Sequence, residues 1–197
     1  MLSLLTTKHI DLEIKATAHQ ANGEWPHVIV RLNQQVIYND LQAVVAVKFH
    51  GEGNLVDIEI ELTDKENRHT KVDCDGNITD NQALTLDAVL INGVDLIKTG
   101  LIHQVGTYIM RLTSDKMQLF ETLNISTAPS TNLSMHENGV WHIQIPQPAL
   151  SYLSGLQAQI ESWEQGNWQH LTKEIYDKIE ICKTLEKHTT AADQNNR

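Results

Sequence analysis

The chain predicts a mainly β fold, an antiparallel β-sandwich of jelly-roll type, followed by a C-terminal α-helical hairpin. Three observations predict it. Apolar and polar residues alternate with a period of two in segment after segment up to Ile145. Clusters of Asn, Asp and Gly separate those segments at spacings of about 8–12 residues, as in sandwiches and jelly rolls. After Pro146 and Pro148 the apolar spacing changes to three and four. The organisation that follows is a sandwich over 1–148, a helical hairpin over 149–188 and a polar tail over 189–197.

The elements follow in order. His9–Ala18 places Ile10, Leu12, Ile14 and Ala16 on one face, with Asp11, Glu13 and Lys15 on the other, which is a half-buried strand. Asn22-Gly23 turns the polar stretch Gln20–Pro26. Val28, Val30 and Leu32 resume the alternation, and Gln35–Tyr38 pairs back across Asn33-Gln34. Ala43–Phe49 is apolar enough for a strand covered on both faces. Leu55–Leu62 alternates most cleanly: Val56, Ile58, Ile60 and Leu62 point in, and Asp57, Glu59 and Glu61 point out. Asp64–His69 is a solvated charged turn, and Ala83–Ile91 is a strand ahead of the turn Asn92-Gly93. Val105–Leu112 and Met117–Leu123 read as strands around Thr113–Lys116. Leu133–Met135 and Val140–Ile145 flank Glu137-Asn138-Gly139, a hairpin signal because Asn-Gly supplies positive φ angles.

The helical end carries an apolar stripe, Leu150, Leu153, Leu156, Ile160 and Trp163. After the break at Gly166-Asn167 it continues through Leu171, Ile175, Ile179, Cys182 and Leu185. Such a stripe needs cover, from the sandwich itself or from another protein. Leu150, Leu153, Leu156, Ile160, Trp163, Leu171, Ile175 and Ile179 are therefore the candidate assembly residues.

Composition narrows the function classes. The chain has 197 residues and a net charge of −10, which argues against nonspecific nucleic-acid binding. No apolar run is long enough for a membrane-spanning helix. The first residues lack the basic and apolar regions of a secretory signal. Cys74 and Cys182 form no metal or redox motif, and fit reduced thiols in a cytosolic assembly site.

The chemistry-bearing motifs are few. Asp73, Asp75, Asn77 and Asp80 place oxygens along one acidic turn, and are the candidate calcium ligands. The EF-hand spacing is not met, since Ile78 and Leu84 stand where its glycine and bidentate glutamate belong. A plain Asx-rich turn uses the same residue types. The ten histidines show no HxH or HxxxH spacing. No nucleophile elbow, P-loop or dinucleotide fingerprint appears. Trp25, in the loop NGEWPH, is the candidate carbohydrate-stacking residue.

Several strings carry a resemblance. They are the strand IDLEIKA, the loop NG-x-x-P, the acidic turn D-x-D-G-N-I-x-D, the strand end I-N-G-V-D-L and the late N-G-x-W strand with its prolines. Over residues 9–153 the chain resembles small phage-encoded proteins with jelly-roll modules similar to calcium-dependent carbohydrate-binding modules. The resemblance implies a non-enzymatic structural component of a phage particle, in its tail, baseplate, neck or decoration layer. Its partners would be other virion proteins and further copies of itself, with assembly in the host cytoplasm. The alternative is a calcium-dependent carbohydrate-binding module. A glycan hydrolase is a further alternative, although no carboxylate pair is singled out.

Overall fold

The computed structural model describes residues 8–75 and 77–163. In chain order the strands are β1 (His9–His19), β2 (His27–Leu32), β3 (Gln35–Asp40), β4 (Val44–Glu52) and β5 (Leu55–Thr63). After a short 3-10 turn come β6 (Thr70–Val72), β7 (Ile78–Asn81), β8 (Ala83–Ile91) and β9 (Val94–Asp95). Helix α1 (Ile102–Val105), β10 (Gly106–Met110), helix α2 (Ser114–Thr122), β11 (Ser134–Met135) and β12 (Gly139–Pro146) complete the order. One sheet runs β11-β8-β1-β4 with β9 on β8, the other runs β10-β12-β5-β2-β3, and β6–β7 form a separate hairpin. Every pairing is antiparallel.

The alternation seen in the sequence sets the core. Ile10, Leu12, Ile14 and Ala16 of β1 are fully buried, as are Val56, Ile58, Ile60 and Leu62 of β5. Trp141, Ile143 and Ile145 of β12 join them, with the Trp141 indole N–H donating to the Asn132 carbonyl (2.8 Å). The outward side of β5 is not simply solvated. Glu61 is nearly buried, because Arg31 of β2 (2.6 Å) and Arg111 close over its carboxylate.

Three expectations are corrected. The segment Ala43–Phe49 is not covered on both faces: β4 is an edge strand, and Val44 and Ala46 are exposed. Met117–Leu123 is no strand. Thr113 caps α2 by accepting from the Lys116 amide (3.4 Å), and Asp115 sits in the first turn where the helix dipole favours an acid. No residue of α2 is buried, so local capping rather than an apolar face defines this helix.

The third correction concerns Glu137-Asn138-Gly139. It does not close a hairpin, because β11 pairs with β8 in one sheet while β12 pairs with β5 and β10 in the other. The segment crosses between sheets. Asn138 locks the crossing, accepting from the Lys65 amide (2.9 Å) and donating to the Lys65 carbonyl (2.9 Å). Gly139 is needed for close approach: a Cβ there would lie 2.5 Å from the Ile109 carbonyl oxygen and 2.6 Å from the Tyr108 ring.

The predicted turn at Asn22-Gly23 forms, with φ of 55° and 77° and the bridge Ala21–Glu24. At the start of β2, His27 Nδ1 meets Asp64 (2.6 Å) and Nε2 meets Asn39 (2.6 Å). The Asp64 hydrogen bond, then that of Asn39, raises the His27 pKa above its ordinary value. A raised folded-state pKa gives stability that is complete below the unfolded value and lost as pH rises through the folded one. His27→Gln is therefore expected to lower the melting temperature more at about pH 6 than at about pH 9. An equal loss at both pH values would contradict the pairing.

The chain divides into two compact units, 1–154 and 155–197. Residues 149–163 are helical. Leu153 is not available for assembly: it is 1% exposed, and Ala149 is buried with it. Leu150, Leu156 and Ile160 are half-buried, and Trp163 is 69% exposed. Leu171, Ile175, Ile179 and the rest of the predicted second helix lie outside the described residues.

Candidate functional site

The acidic turn forms first and most locally. Asp73 Oδ1 accepts from the amides of Asp75 (3.0 Å) and Asn77 (2.8 Å), and Oδ2 accepts from the Asn77 side chain (3.2 Å). These contacts close the turn between β6 and β7. Asp80 faces elsewhere, towards Lys71 (3.6 Å) and the Asn22 amide (3.3 Å). Asp73 accepts from amides of its own turn while Asp80 pairs with Lys71, so these two predicted ligands turn to different partners. Among the described residues, no three His, Cys, Asp or Glu side chains are placed to hold a metal.

The same hairpin builds something else. It forms one wall of a cleft of about 1070 Å³. Ile78, Asp80 and Asn81 come from β7, and His19 from the end of β1. Tyr108 comes from β10, Phe120 from α2, and Ile125 and Pro129 from the loop after α2. His136 and Glu137 come from the crossing between the sheets. The cleft therefore combines apolar side chains with amide, imidazole and carboxylate groups. That is the lining expected of a small-molecule or oligomer site.

A buried cation organises the polar side. Lys65 is only 4% exposed. Its ammonium donates to Asn81 Oδ1 (2.6 Å) and to the His136 carbonyl. Burial pulls its pKa down to about 8, against the pull of Glu137. Glu137 is itself held by Lys116, and its carbonyl accepts from the Tyr108 hydroxyl (2.7 Å). Burial raises the Tyr108 pKa, so the hydroxyl remains a donor. The His136 pKa is lowered, first by burial and then by Lys65.

Of the described residues singled out from the sequence, only Asp80 lines this cleft. Trp25 is half-buried beside the buried Pro26 and is not among the lining residues. Sequence reasoning missed His19, Asn81, Tyr108, Phe120, His136 and Glu137. They come from separate strands and one helix, and only the pairing of those elements brings them together. No local spacing signals that.

No family model matches the chain, and no curated protein matches it. Two solved structures are similar in part. One is the selenomethionine form of vCBM60, described with two families of calcium-dependent carbohydrate-binding modules linked by circular permutation. It is 10% identical, covers 68% of this chain and 89% of its own, and superposes with a TM-score of 0.41. The other is vCBM60 in complex with galactobiose, 12% identical, covering 68% of this chain and 96% of its own, with a TM-score of 0.39.

Proposed function

We propose that this chain is a non-catalytic carbohydrate-binding module whose glycan lies in the cleft between the β6–β7 hairpin and α2. One observation carries the reading: Phe120 lines the same cleft as Asn81, His136, Asp80 and Glu137. A sugar ring has an apolar C–H face and a rim of hydroxyls. An aromatic ring takes the first, and amide, imidazole and carboxylate groups take the second. Both carboxylates are already paired with lysines, which favours an uncharged ligand over an anionic one. The cleft is larger than a single sugar needs, so an oligosaccharide stretch is the expected ligand.

A glycan array tests this. The protein should bind neutral oligosaccharides equally with calcium and with EDTA. Phe120→Ala should weaken that binding at least about tenfold, a loss of about 1.4 kcal/mol. Its melting temperature should move little, because Phe120 is half-exposed on a helix with no buried residue. No bound glycan, or binding indifferent to Phe120→Ala, would overturn the proposal.

A second reading is assembly in a phage particle, with other virion proteins or further copies as partners. The observation in its favour is Trp163, a large apolar side chain 69% exposed on the helical segment 149–163. Exposed tryptophans serve as anchors in protein interfaces. The two readings are compatible, since a particle can display a glycan-binding module.

A further inference from the structure

We infer that His136 is the ligand-reading donor of the cleft, held as its neutral Nε2–H tautomer by Asn81, so that acid abolishes binding. The inference rests on the cleft being the glycan site.

The argument starts from Asn81. Its Oδ1 accepts from two donors, Lys65 Nζ (2.6 Å) and Thr70 Oγ1 (2.7 Å). That settles which way the amide points, because a flipped amide would turn its NH2 onto an ammonium. Asn81 Nδ2 then faces His136 Nδ1 at 3.4 Å. An amide NH2 only donates, so Nδ1 must accept, and the ring proton resides on Nε2. Lys65 also holds the His136 carbonyl, so one buried lysine positions both the amide and the backbone of the residue it orients.

A neutral Nε2–H is a donor suited to a sugar hydroxyl or ring oxygen. Protonation adds a hydrogen at Nδ1, where it meets the Asn81 NH2. Asn81 cannot turn to accept it without withdrawing Oδ1 from Lys65 and Thr70. The added charge also lies near the Lys65 ammonium and near His19 at the end of β1. Glu137 and Asp80 face the same cleft, but Lys116 and Lys71 already pair with them. Burial, Lys65 and His19 together hold the His136 pKa below its ordinary value, with Glu137 opposing. Acid therefore disturbs the whole Lys65–Asn81–His136 array and removes the ligand's donor geometry.

Two measurements on the full chain test this. Imidazole nitrogen NMR without ligand should show the Nε2–H tautomer of His136 near neutrality, with a titration midpoint below about 6.5. Asn81→Asp keeps the acceptor for Lys65 and puts a carboxylate oxygen against Nδ1. It should move that midpoint above about 6.5. On an array of neutral oligosaccharides, wild type should bind at least about tenfold more weakly at about pH 5 than at about pH 7.5. In Asn81→Asp the carboxylate selects the Nδ1–H tautomer and leaves Nε2 without its hydrogen, so binding near neutrality should be weaker than wild type and should not fall further between about pH 7.5 and about pH 5, which separates the gate from acid unfolding. His136→Gln should bind more weakly than wild type near neutrality, but to the same extent at both pH values. An Nδ1–H tautomer, or wild-type binding equal at the two pH values, overturns the gate and leaves the cleft reading standing. A pH-dependent fall that persists in His136→Gln also overturns it. Absence of glycan binding at both pH values overturns the cleft reading itself, and the role of His136 with it.

Discussion

Ile58→Asp is expected to abolish the cooperative melting transition. Ile58 is fully buried at the centre of β5, paired with Ile143 of β12 on one side and Leu32 of β2 on the other. A carboxylate there would join an apolar face, flanked along β5 by the fully buried Val56 and Ile60 and across the sheet by the buried Ile143 and Leu32. Burying an unpaired charge is among the few single changes that cost more than about 4 kcal/mol. A domain of this size has a total stability of about 5–15 kcal/mol, so little remains. Glu59→Ala, one position along on the opposite face, is the control: it is half-exposed, and the melt should stay cooperative. A wild-type melt for Ile58→Asp would contradict the assignment of β5 as a central strand.

Truncation after Gln147 is expected to destabilise the sandwich, whereas truncation after Ser154 leaves it folded. The first cut removes Ala149 and Leu153, each 1% exposed, and both belong to the compact unit that ends at Ser154. Loss of one buried leucine alone costs about 2–5 kcal/mol. For a protein of this length that corresponds to a fall in melting temperature of roughly 5–15 °C. The second cut keeps both side chains and removes the exposed Trp163. Equal melting temperatures for the two truncations would place the first helical turns outside the sandwich's core. If the Ser154 truncation stays folded but no longer enters a larger assembly, the exposed part of the helix is an interface.

The sandwich was legible because its strands alternate strictly. β1 and β5 bury the side chains that a period of two selects, whereas β8 changes phase at a bulge, burying Leu84 and Leu86 and then Val89 and Ile91. Met117–Leu123 misled because its apolar residues suggest a strand while Thr113 and Asp115 start a helix. With no buried face on α2, the cap decided the outcome. Asn138-Gly139 misled for a different reason. The pair is a turn signal when φ is positive, but here Asn138 is a side-chain clamp on Lys65 and Gly139 makes room for Tyr108. The acidic turn forms as a turn, with the Asp73 carboxylate accepting from the amides of Asp75 and Asn77. The cleft was illegible because Asn81 and His136 lie 55 residues apart, and the buried Lys65 that links them reads as part of a charged surface turn.

The most direct test of the glycan-binding claim is mapping of backbone amide shifts during titration with the tightest neutral oligosaccharide from the array. The expected result is a contiguous set of shifts at Ile78–Asn81, Phe120 and His136–Glu137, with Trp25 and the Asp73–Asn77 turn unmoved whether calcium or EDTA is present. Shifts centred on Trp25 or on that turn, or shifts that require calcium, would contradict it.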